Sequence, residues 1–477
     1  MNSEFPCGTR AAGLAIGLVL CSVCSLAWGR TAPGDAVKRD ECRVEPIEYK
    51  GWHAQQVSNK WVQLVFIPQN GGRLIQVTFS GHPYFFNNPK FAGKYFPPAG
   101  DQWFNYGGDK IWLLPEGNDD EQHWVGNSDV IDDGAFTFQK VSEGKTCEIE
   151  MTGPQDPQTG VQIVRTISVE PGSPRIRFRA VMKNITGHSL DWSMQSVSQY
   201  DTSAGGASAG ADTNAANPAP RFNRDFWTFT PANPTSSYLN RYHVRFGPAQ
   251  NPAVRVRSDG LFTVHYVHMA AELWLDSKDG WVAVVDGATH YAMVERFRYE
   301  ENATYPGKAS VIFWTNGPEL RLSSEGIPSM STDSDAGPYY LEAELNSPMC
   351  HLRPGESCAL ETEWFPTRAG SDFRGATEAG VFMRPLQASD AGAGRVKLSG
   401  SFGVFYSGSL VARLYDEHGR SLGNMPVMNV SPAEPVSLET ELSPKSKAAR
   451  VSLHLLDESG LDRGALGEVS IGEGDRR

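Results

Sequence analysis

The densest group of chemically competent side chains lies between residues 103 and 118. Its polar members offer hydrogen-bond donors and acceptors: Asn105, Asp109, Lys110 and Glu116. Its aromatic members offer ring faces: Trp103, Tyr106 and Trp112. The adjacent Gly107 and Gly108 permit the backbone to approach a bound molecule closely. Such a mixture is typical of small-molecule pockets and suits a ligand rich in hydroxyl groups. The alternative is a structural loop in which Asp109 pairs with Lys110 and the tryptophans are core.

A second segment with chemical potential, residues 339–345, reads Tyr-Tyr-Leu-Glu-Ala-Glu-Leu. On a β-strand, Glu342 and Glu344 point to the same face because side chains alternate with a period of two. A carboxylate held in a pocket is a candidate general base. The alternation does not say which of the two carboxylates lies deeper.

The elements that must position these groups have the patterns of β-strands. Residues 61–67 form an apolar run that ends at Pro68, a Gly71-Gly72 turn follows, and residues 74–79 alternate again, which predicts a hairpin. Residues 175–181 alternate arginine with apolar side chains, which predicts a strand with one solvated face. No long window has helical periodicity, and 48 glycines and 31 prolines supply many turns. The expected fold is an all-β antiparallel sandwich or barrel.

The length of 477 residues predicts more than one domain, since single cores stop growing at roughly 250 to 300 residues. Residues 387–394 have the composition of a linker, and short strand patterns separated by turns follow them. We therefore expect a main domain over residues 30–384 and a small immunoglobulin-like β-sandwich over residues 385–477.

The first 29 residues have the pattern of a signal peptide. Arg10 precedes an apolar run over residues 11–28, and small residues stand before the expected cleavage after Gly29. No later segment contains the 18 or so consecutive apolar residues of a membrane helix. The sequence therefore predicts a periplasmic or secreted protein that is not inserted in the membrane after cleavage.

Four cysteines follow the predicted cleavage site: Cys42, Cys147, Cys350 and Cys358. They allow three pairings in an oxidising compartment, and Cys350 with Cys358 is favoured because the two bracket a Pro-Gly turn. A metal site made of these thiols is disfavoured because no C-x-x-C spacing occurs. No metal and no other cofactor is expected.

The charge balance limits the classes of partner. A formal net charge of −12 argues against nucleic acid and anionic membranes, since both bind basic surfaces. Neutral sugars are compatible with this charge.

Several segments, in this order along the chain, resemble the galactose mutarotase-like superfamily, which includes the aldose 1-epimerases. Residues 65–74 are similar to its first hairpin, with the Gly-Gly turn. Residues 106–115 resemble its sugar-site loop, and are closer still to the G-G-D-K-x-W-x-x-P run of uncharacterised bacterial members. Residues 297–315 and 339–364 are similar to later strands. The resemblance covers roughly residues 45 to 368 and implies a large antiparallel supersandwich that binds a carbohydrate.

The resemblance also implies a sugar-ring-opening site, in which a carboxylate removes the proton of the anomeric hydroxyl and an acid protonates the ring oxygen. Glu342 is the residue that matches the base of the family. The acid of the family is usually a histidine, but this chain has Gln195 to Gln199 at one expected place and Tyr106 at the other. The remaining candidates for the acid are Lys110, Tyr106, His123, His265 and His268. The implied substrate-binding residues are Asn105, Gly107, Gly108, Asp109, Trp112, Glu116, Gln199, Tyr305 and Glu344.

Three functions stay open at this stage. The first is an aldose epimerase-like isomerase that uses Glu342 with a donor from the Asp109-Lys110 loop. The second is a carbohydrate-binding protein without activity, and the third is a structural or assembly protein of the cell envelope. The criterion that separates them is whether Glu342, Lys110 and Tyr106 converge in one pocket.

Overall fold

A computed structural model of the chain describes residues 41–98, 104–116, 130–205, 222–318, 320–322, 328–330 and 337–472. The predicted signal peptide, together with Trp103 and His123, lies outside the described residues. Among the described residues the regular structure is almost entirely β, with one 3₁₀ turn at Pro306–Lys308.

The strands of the larger part of the chain are, in order, β1 Arg43–Tyr49, β2 Trp52–Ser58, β3 Val62–Ile67, β4 Arg73–Phe79, β5 His82–Pro83, β6 Gly108–Leu114, β7 Thr137–Ser142, β8 Cys147–Asp156, β9 Val161–Val169, β10 Ile176–Asn184, β11 Leu190–Asp201, β12 Phe226–Pro231, β13 His243–Phe246, β14 Val254–Val256, β15 Leu261–His265, β16 Ala271–Leu275, β17 Trp281–Asp286, β18 Tyr291–Phe297, β19 Val311–Thr315, β20 Leu320–Leu322, β21 Pro328–Met330, β22 Tyr340–Asn346, β23 Cys350–Leu352 and β24 Ser357–Arg368. The strands of the C-terminal part are β25 Gly375–Ala376, β26 Gly380–Gly392, β27 Arg395–Val404, β28 Gly408–Tyr415, β29 Ser421–Val430, β30 Val436–Leu442, β31 Arg450–Asp457 and β32 Asp462–Ser470.

Two large antiparallel sheets form the main domain. The first, sheet A, has the order β1-β2-β3-β4-β6-β11-β22-β19-β16-β13, with β5 and β23 at its margins. The second, sheet B, has the order β14-β15-β12-β17-β18-β24-β10-β9-β8-β7. Apolar side chains of both sheets, such as Leu113 and Leu345 of sheet A with Met293 and Trp364 of sheet B, share one buried cluster. The predicted all-β fold with a large antiparallel sandwich is confirmed.

Alternation along the central strands of sheet A separates two faces. In β22, Leu341, Ala343 and Leu345 belong to the core between the sheets. Glu342 and Glu344 therefore point to the opposite, outer face, because successive side chains of a strand project to opposite sides.

The C-terminal strands form a second, smaller sandwich with two four-stranded sheets, β25-β26-β27-β30 and β29-β28-β31-β32. Its core is continuous with side chains on the outer face of sheet B, where the rings of Phe365 and Phe405 stack at 4.6 Å. The interpretation of residues 387–394 as a linker is wrong, because they form the end of β26 and its turn into β27. Small and polar residues suit an exposed β-hairpin as well as a linker, which explains the error.

Two disulfides join distant and near parts of the main domain, Cys42 with Cys147 and Cys350 with Cys358. The first ties the strand β1 region to β8 across 105 residues, and the second joins β23 to β24. None of the helices in the described ranges has the length and apolar character needed to cross a membrane.

Candidate functional site

A cavity of about 590 Å³ opens on the outer face of sheet A. This volume lies within the range of roughly 300 to 1,000 Å³ that small-molecule sites occupy. Its lining combines carboxylates, aromatic rings and one guanidinium group, and consists of Trp112, Leu114, Pro115, Glu116, Gln195, Arg245, Phe246, Glu272, Trp274, Pro306, Gly307, Ile312, Trp314, Asn316, Tyr340, Glu342 and Glu344.

The register of four adjacent strands, β16, β19, β22 and β11, aligns these side chains in rows across the sheet. In one row Glu272 pairs with Trp314, Trp314 with Glu342, and Glu342 with Gln199. In the next row Ile312 lies between Trp274 and Glu344. Directly paired residues of antiparallel strands project to the same face, so each row delivers its side chains to the cavity side.

The two carboxyl groups of β22 are buried at the floor of the cavity. The Gln199 side-chain amide donates to Glu342 Oε1 at 2.5 Å, and that of Gln195 donates to Glu344 Oε2 at 2.5 Å. The two carboxyl groups also hydrogen-bond to each other. Because one of two hydrogen-bonded carboxyl groups must carry a proton, this pair holds a shared proton.

The pKa shifts of Glu342 and Glu344 indicate which of the two carboxyl groups carries the proton. Desolvation raises the pKa of Glu344 well above its ordinary value, and the neighbouring charge of Glu342 raises it further. Desolvation also raises the pKa of Glu342, but the Lys110 ammonium and the Gln199 amide lower it again. Glu344 is therefore the protonated member and Glu342 the carboxylate.

Lys110 projects from β6 to the same face of sheet A as the cavity residue Trp112. It is 1% exposed, and its ammonium group lies 3.7 Å from the centre of the Trp112 ring. Burial lowers the pKa of Lys110, while the charges of Asp132, Glu342 and Glu116 raise it. Since Lys110 does not contribute to the lining, its effect on a ligand is electrostatic, through Glu342.

Two further carboxyl groups complete the acidic side of the cavity. Burial raises the pKa of Glu116 to about 7, and the charges of Glu272 and Glu342 add to this shift. Burial also raises the pKa of Glu272, although its carboxyl group accepts a hydrogen bond from the Trp274 indole N–H.

Aromatic side chains form the remaining wall. The rings of Phe246 and Trp314 stack at 5.7 Å, and Arg245 lies 5.9 Å from the centre of the Trp274 ring at the rim. Flat aromatic walls beside charged hydrogen-bonding groups suit a ligand with an apolar face and a polar edge.

Tyr106 does not join Glu342 in the cavity. It is fully buried in a separate apolar cluster with Trp52 and Ile75, and its hydroxyl accepts the backbone N–H of Phe96. Asn105 accepts the Gly107 N–H with its side-chain oxygen. Asn105 also hydrogen-bonds to the hydroxyl of Tyr340. Tyr340 lines the cavity, so Asn105 contacts a lining residue but does not line the cavity itself.

The paired glycines serve close packing of the chain against itself. Gly107 and Gly108 have φ values of +92° and +77°, and a Cβ atom at Gly107 would lie 2.0 Å from the carbonyl oxygen of Phe86. Asp109 points between the two sheets, where it pairs with Arg165 and accepts from Ser196. Asp109 and Lys110 therefore lie on opposite faces of β6, since neighbours on a strand alternate.

Some of the other predicted ligand-binding residues line the cavity and some do not. Trp112, Glu116 and Glu344 line the cavity, whereas Gln199 is fully buried behind Glu342. The ring of Tyr305 stacks on that of Tyr299 at 5.2 Å, and Tyr305 does not line the cavity. The next two residues, Pro306 and Gly307, do line it.

No histidine is among the described residues that line the cavity. His265 stacks on Trp227 at 4.1 Å in sheet B, and His268 packs against Tyr339 at 4.6 Å. His188 lies in an exposed turn before β11. The ring of His243 lies 6.4 Å from that of Trp274 at the edge of sheet A.

The sequence analysis missed one whole side of the cavity. Its residues are Arg245, Phe246, Glu272, Trp274 and Trp314. One signal was present in β16, where Ala271, Leu273 and Leu275 alternate with a glutamate and a tryptophan. A strand that places an acid and a large ring on one face is a candidate pocket wall.

No family model matches the chain, and no curated protein matches it. Solved structures that are similar include a TPR-domain containing protein from Parabacteroides distasonis, 14% identical with a TM-score of 0.43, over 66% of this chain and 47% of that one. A galactose mutarotase-like protein from Clostridium acetobutylicum is 9% identical with a TM-score of 0.40, over 69% of this chain and 100% of that one. Another galactose mutarotase-like protein, from Lactobacillus casei, is 10% identical with a TM-score of 0.41, over 66% and 99%. The chain spans about half of the first structure.

Proposed function

We propose that this protein binds a carbohydrate in the cavity on sheet A and that Glu342 acts on it as a general base. The observation that carries the proposal is the convergence of Glu342, Glu344 and Trp314 in one hollow of about 590 Å³. A sugar ring presents C–H groups on its faces and hydroxyl groups around its edge. The aromatic wall suits the faces, and the carboxyl groups accept from the hydroxyls.

General-base catalysis requires an ionised carboxylate that contacts the ligand and is shielded from water. Glu342 meets both conditions, because Lys110 and Gln199 favour its ionised form while the cavity exposes it to a ligand. A positioned base contributes about 100- to 10,000-fold to a rate. Removal of the proton of an anomeric hydroxyl is the step that this position supports best.

Export from the cytoplasm is part of the same proposal. The signal-peptide pattern of residues 1–29 supports it, and so do the two disulfides, which persist in oxidising compartments. Carbohydrate is abundant outside the cytoplasm, so a periplasmic or secreted location agrees with a sugar ligand.

A non-catalytic carbohydrate-binding or cell-envelope assembly protein is the second candidate. It is favoured by the lack of any histidine in the lining that the described residues provide, and by the absence of Lys110 and Tyr106 from that lining, so that these two groups do not converge with Glu342. The two candidates share the ligand and differ in turnover, so binding and catalysis must be measured separately.

The test is isothermal titration of the mature protein with D-galactose, D-glucose, maltose, cellobiose and lactose. We expect at least one sugar to bind, and Trp314→Ala to weaken that binding by about 1 to 2 kcal/mol, or roughly 5- to 30-fold, through loss of buried apolar contact. Trp61→Ala is the matched control, because Trp61 lies outside the lining. The proposal fails if no sugar of the panel binds, or if Trp314→Ala binds as the wild type does.

A further inference from the structure

We propose that Glu116 is the general acid of the cavity, so that the site moves two protons with carboxyl groups alone. This inference rests on the proposed function, and it assigns the catalytic group that the sequence analysis left open.

The position of Glu116 is the first support. It lies two residues beyond the end of β6, where the chain leaves sheet A, and its side chain forms part of the cavity wall. Glu342 lies on the floor, on β22, two strands away from β6 in the sheet. Neighbouring strands lie about 4.8 Å apart, so the backbones of β6 and β22 are roughly 10 Å apart.

The hydrogen bonds of the other carboxyl groups are the second support. Glu344 is bound to Glu342 and to the amide of Gln195, so its proton is already held by a protein acceptor. Glu272 accepts the indole N–H of Trp274, a bond that favours its ionised form. Glu116 makes no hydrogen bond to the residues that the structure describes, so its proton can be given to a ligand.

The remaining proton donors near the cavity are less suited to the role. Tyr340 has a pKa raised well above its ordinary value by burial, so its proton is held too tightly at neutral pH. Arg245 does not lose its proton in proteins. His243 is on the edge strand β13, three strands from β22 and about 14 Å from it, beyond the ring of Trp274.

The electrostatic surroundings of Glu116 fit an acid that works near neutral pH. The charges of Glu272 and Glu342 raise the pKa of Glu116, and those of Lys110 and Arg245 lower it. Glu116 and Glu344 also interact, because the charge of Glu116 raises the pKa of Glu344. The combined effect of these charges with burial leaves the pKa of Glu116 at about 7. An acid with a pKa close to the working pH is protonated in a large share of molecules and still gives up its proton readily.

The step that follows is balanced without a further reactant. Glu342 removes the proton of the anomeric hydroxyl, the C–O bond to the ring oxygen breaks, and the anomeric carbon becomes a carbonyl carbon. The electron pair of the broken bond stays on the ring oxygen, which takes the proton of Glu116. When the ring closes on the other face of the carbonyl carbon, Glu342 returns its proton to the carbonyl oxygen and Glu116 takes back the proton of the attacking hydroxyl group. The product is the other anomer, and both carboxyl groups are again in their starting protonation states.

The experiment follows anomer exchange of freshly dissolved α-D-galactose and α-D-glucose by proton magnetic resonance between pH 5 and pH 9. The proteins compared are the wild type, Glu116→Gln, Glu116→Asp and His243→Gln. Glu361→Gln is the matched control, because Glu361 is exposed on β24 in sheet B, where it pairs with Arg179. Binding of the same sugars is measured in parallel by titration.

We expect Glu116→Gln to lower kcat/KM by about 100-fold or more with binding changed less than threefold, since acid catalysis contributes on that scale. We expect Glu116→Asp to keep part of the rate. In the wild type we expect the rate to decrease above about pH 7, because Glu116 loses its proton there. The residual rate of Glu116→Gln should not decrease in this pH range. His243→Gln and Glu361→Gln should match the wild type.

The inference is overturned if Glu116→Gln keeps the wild-type rate or if His243→Gln loses it. It is also overturned if both sugars bind but exchange no faster than in buffer, a result that leaves the binding proposal standing. Absence of binding to both sugars and to the whole titration panel removes the proposed function and the inference together.

Discussion

Two groups of carboxyl groups with raised pKa values lie on opposite faces of sheet A, and they differ in what covers them. The open group faces the cavity and consists of Glu116, Glu272, Glu342 and Glu344. The closed group lies between the two sheets and consists of Asp109 and Glu295. Burial raises the pKa of members of both groups, so a raised pKa alone does not distinguish the two groups.

The difference is in the hydrogen-bond partners. Asp109 is paired with Arg165 and accepts from Ser196 and Ser198, while Glu295 accepts the hydroxyl of Tyr200. These contacts are internal to the protein, so the closed group contributes to stability and offers nothing to a ligand. A perturbed carboxyl group indicates a functional site only where a cavity gives a ligand access to it.

The largest expected effect on stability is that of Arg165→Met, which leaves the carboxylate of Asp109 buried without its cation. Loss of one partner of a buried ion pair costs about 3 to 5 kcal/mol in the free energy of unfolding. Urea unfolding measures this cost. Arg179→Met, which breaks an exposed pair on the neighbouring strand, is the control and should cost about 1 kcal/mol or less. Equal effects of the two variants would contradict the distinction between the groups.

Glu295→Gln should change how stability depends on pH. Burial raises the pKa of Glu295 to about 8, above the ordinary glutamate value of 4.5, so the folded protein holds an extra proton between these values. Stability therefore falls as pH rises through this window, by at most about 1.4 kcal/mol per pH unit from this group. We expect the free energy of unfolding of Glu295→Gln to fall less steeply from pH 5 to pH 8 than that of the wild type. Parallel curves would show that Glu295 does not titrate as described.

The smallest expected effect is that of Glu116→Gln on stability. Its raised pKa of about 7 also makes the wild type less stable as pH rises, but over a narrower window from 4.5 to about 7. Because the Glu116 side chain is exposed, solvent screens its charge, so the substitution should stabilise the protein by only about 1 kcal/mol at pH 8. Urea unfolding at pH 5 and pH 8 checks the sign. A destabilisation by more than about 2 kcal/mol at pH 8 would place Glu116 with the structural residues.

Local patterns were sufficient for the fold class and for part of the floor of the cavity. Alternation on β22 correctly places Glu342 and Glu344 on one face, since that rule depends only on neighbours in the chain. The same rule, applied to Asp109 and Lys110, would have excluded their pairing. The glycine pair was interpreted as a ligand contact, although it serves a close approach of Gly107 to Phe86.

The other wall of the cavity depends on long-range order. Glu272 and Arg245 meet the floor only because sheet A continues in the order β22-β19-β16-β13. Strand order in a large sheet is set by packing between distant segments, which no local window records. The burial of Lys110 has the same origin, since it depends on the complete sheet.

The most direct test of the central claim is a crystal structure of the mature protein soaked with a sugar that binds in titration. We expect a sugar ring in the cavity of sheet A, with one face against Trp314 and hydroxyl groups within hydrogen-bond distance of the carboxyl groups of Glu342 and Glu116. A sugar bound at any other place, with the cavity between these residues unfilled, would contradict it.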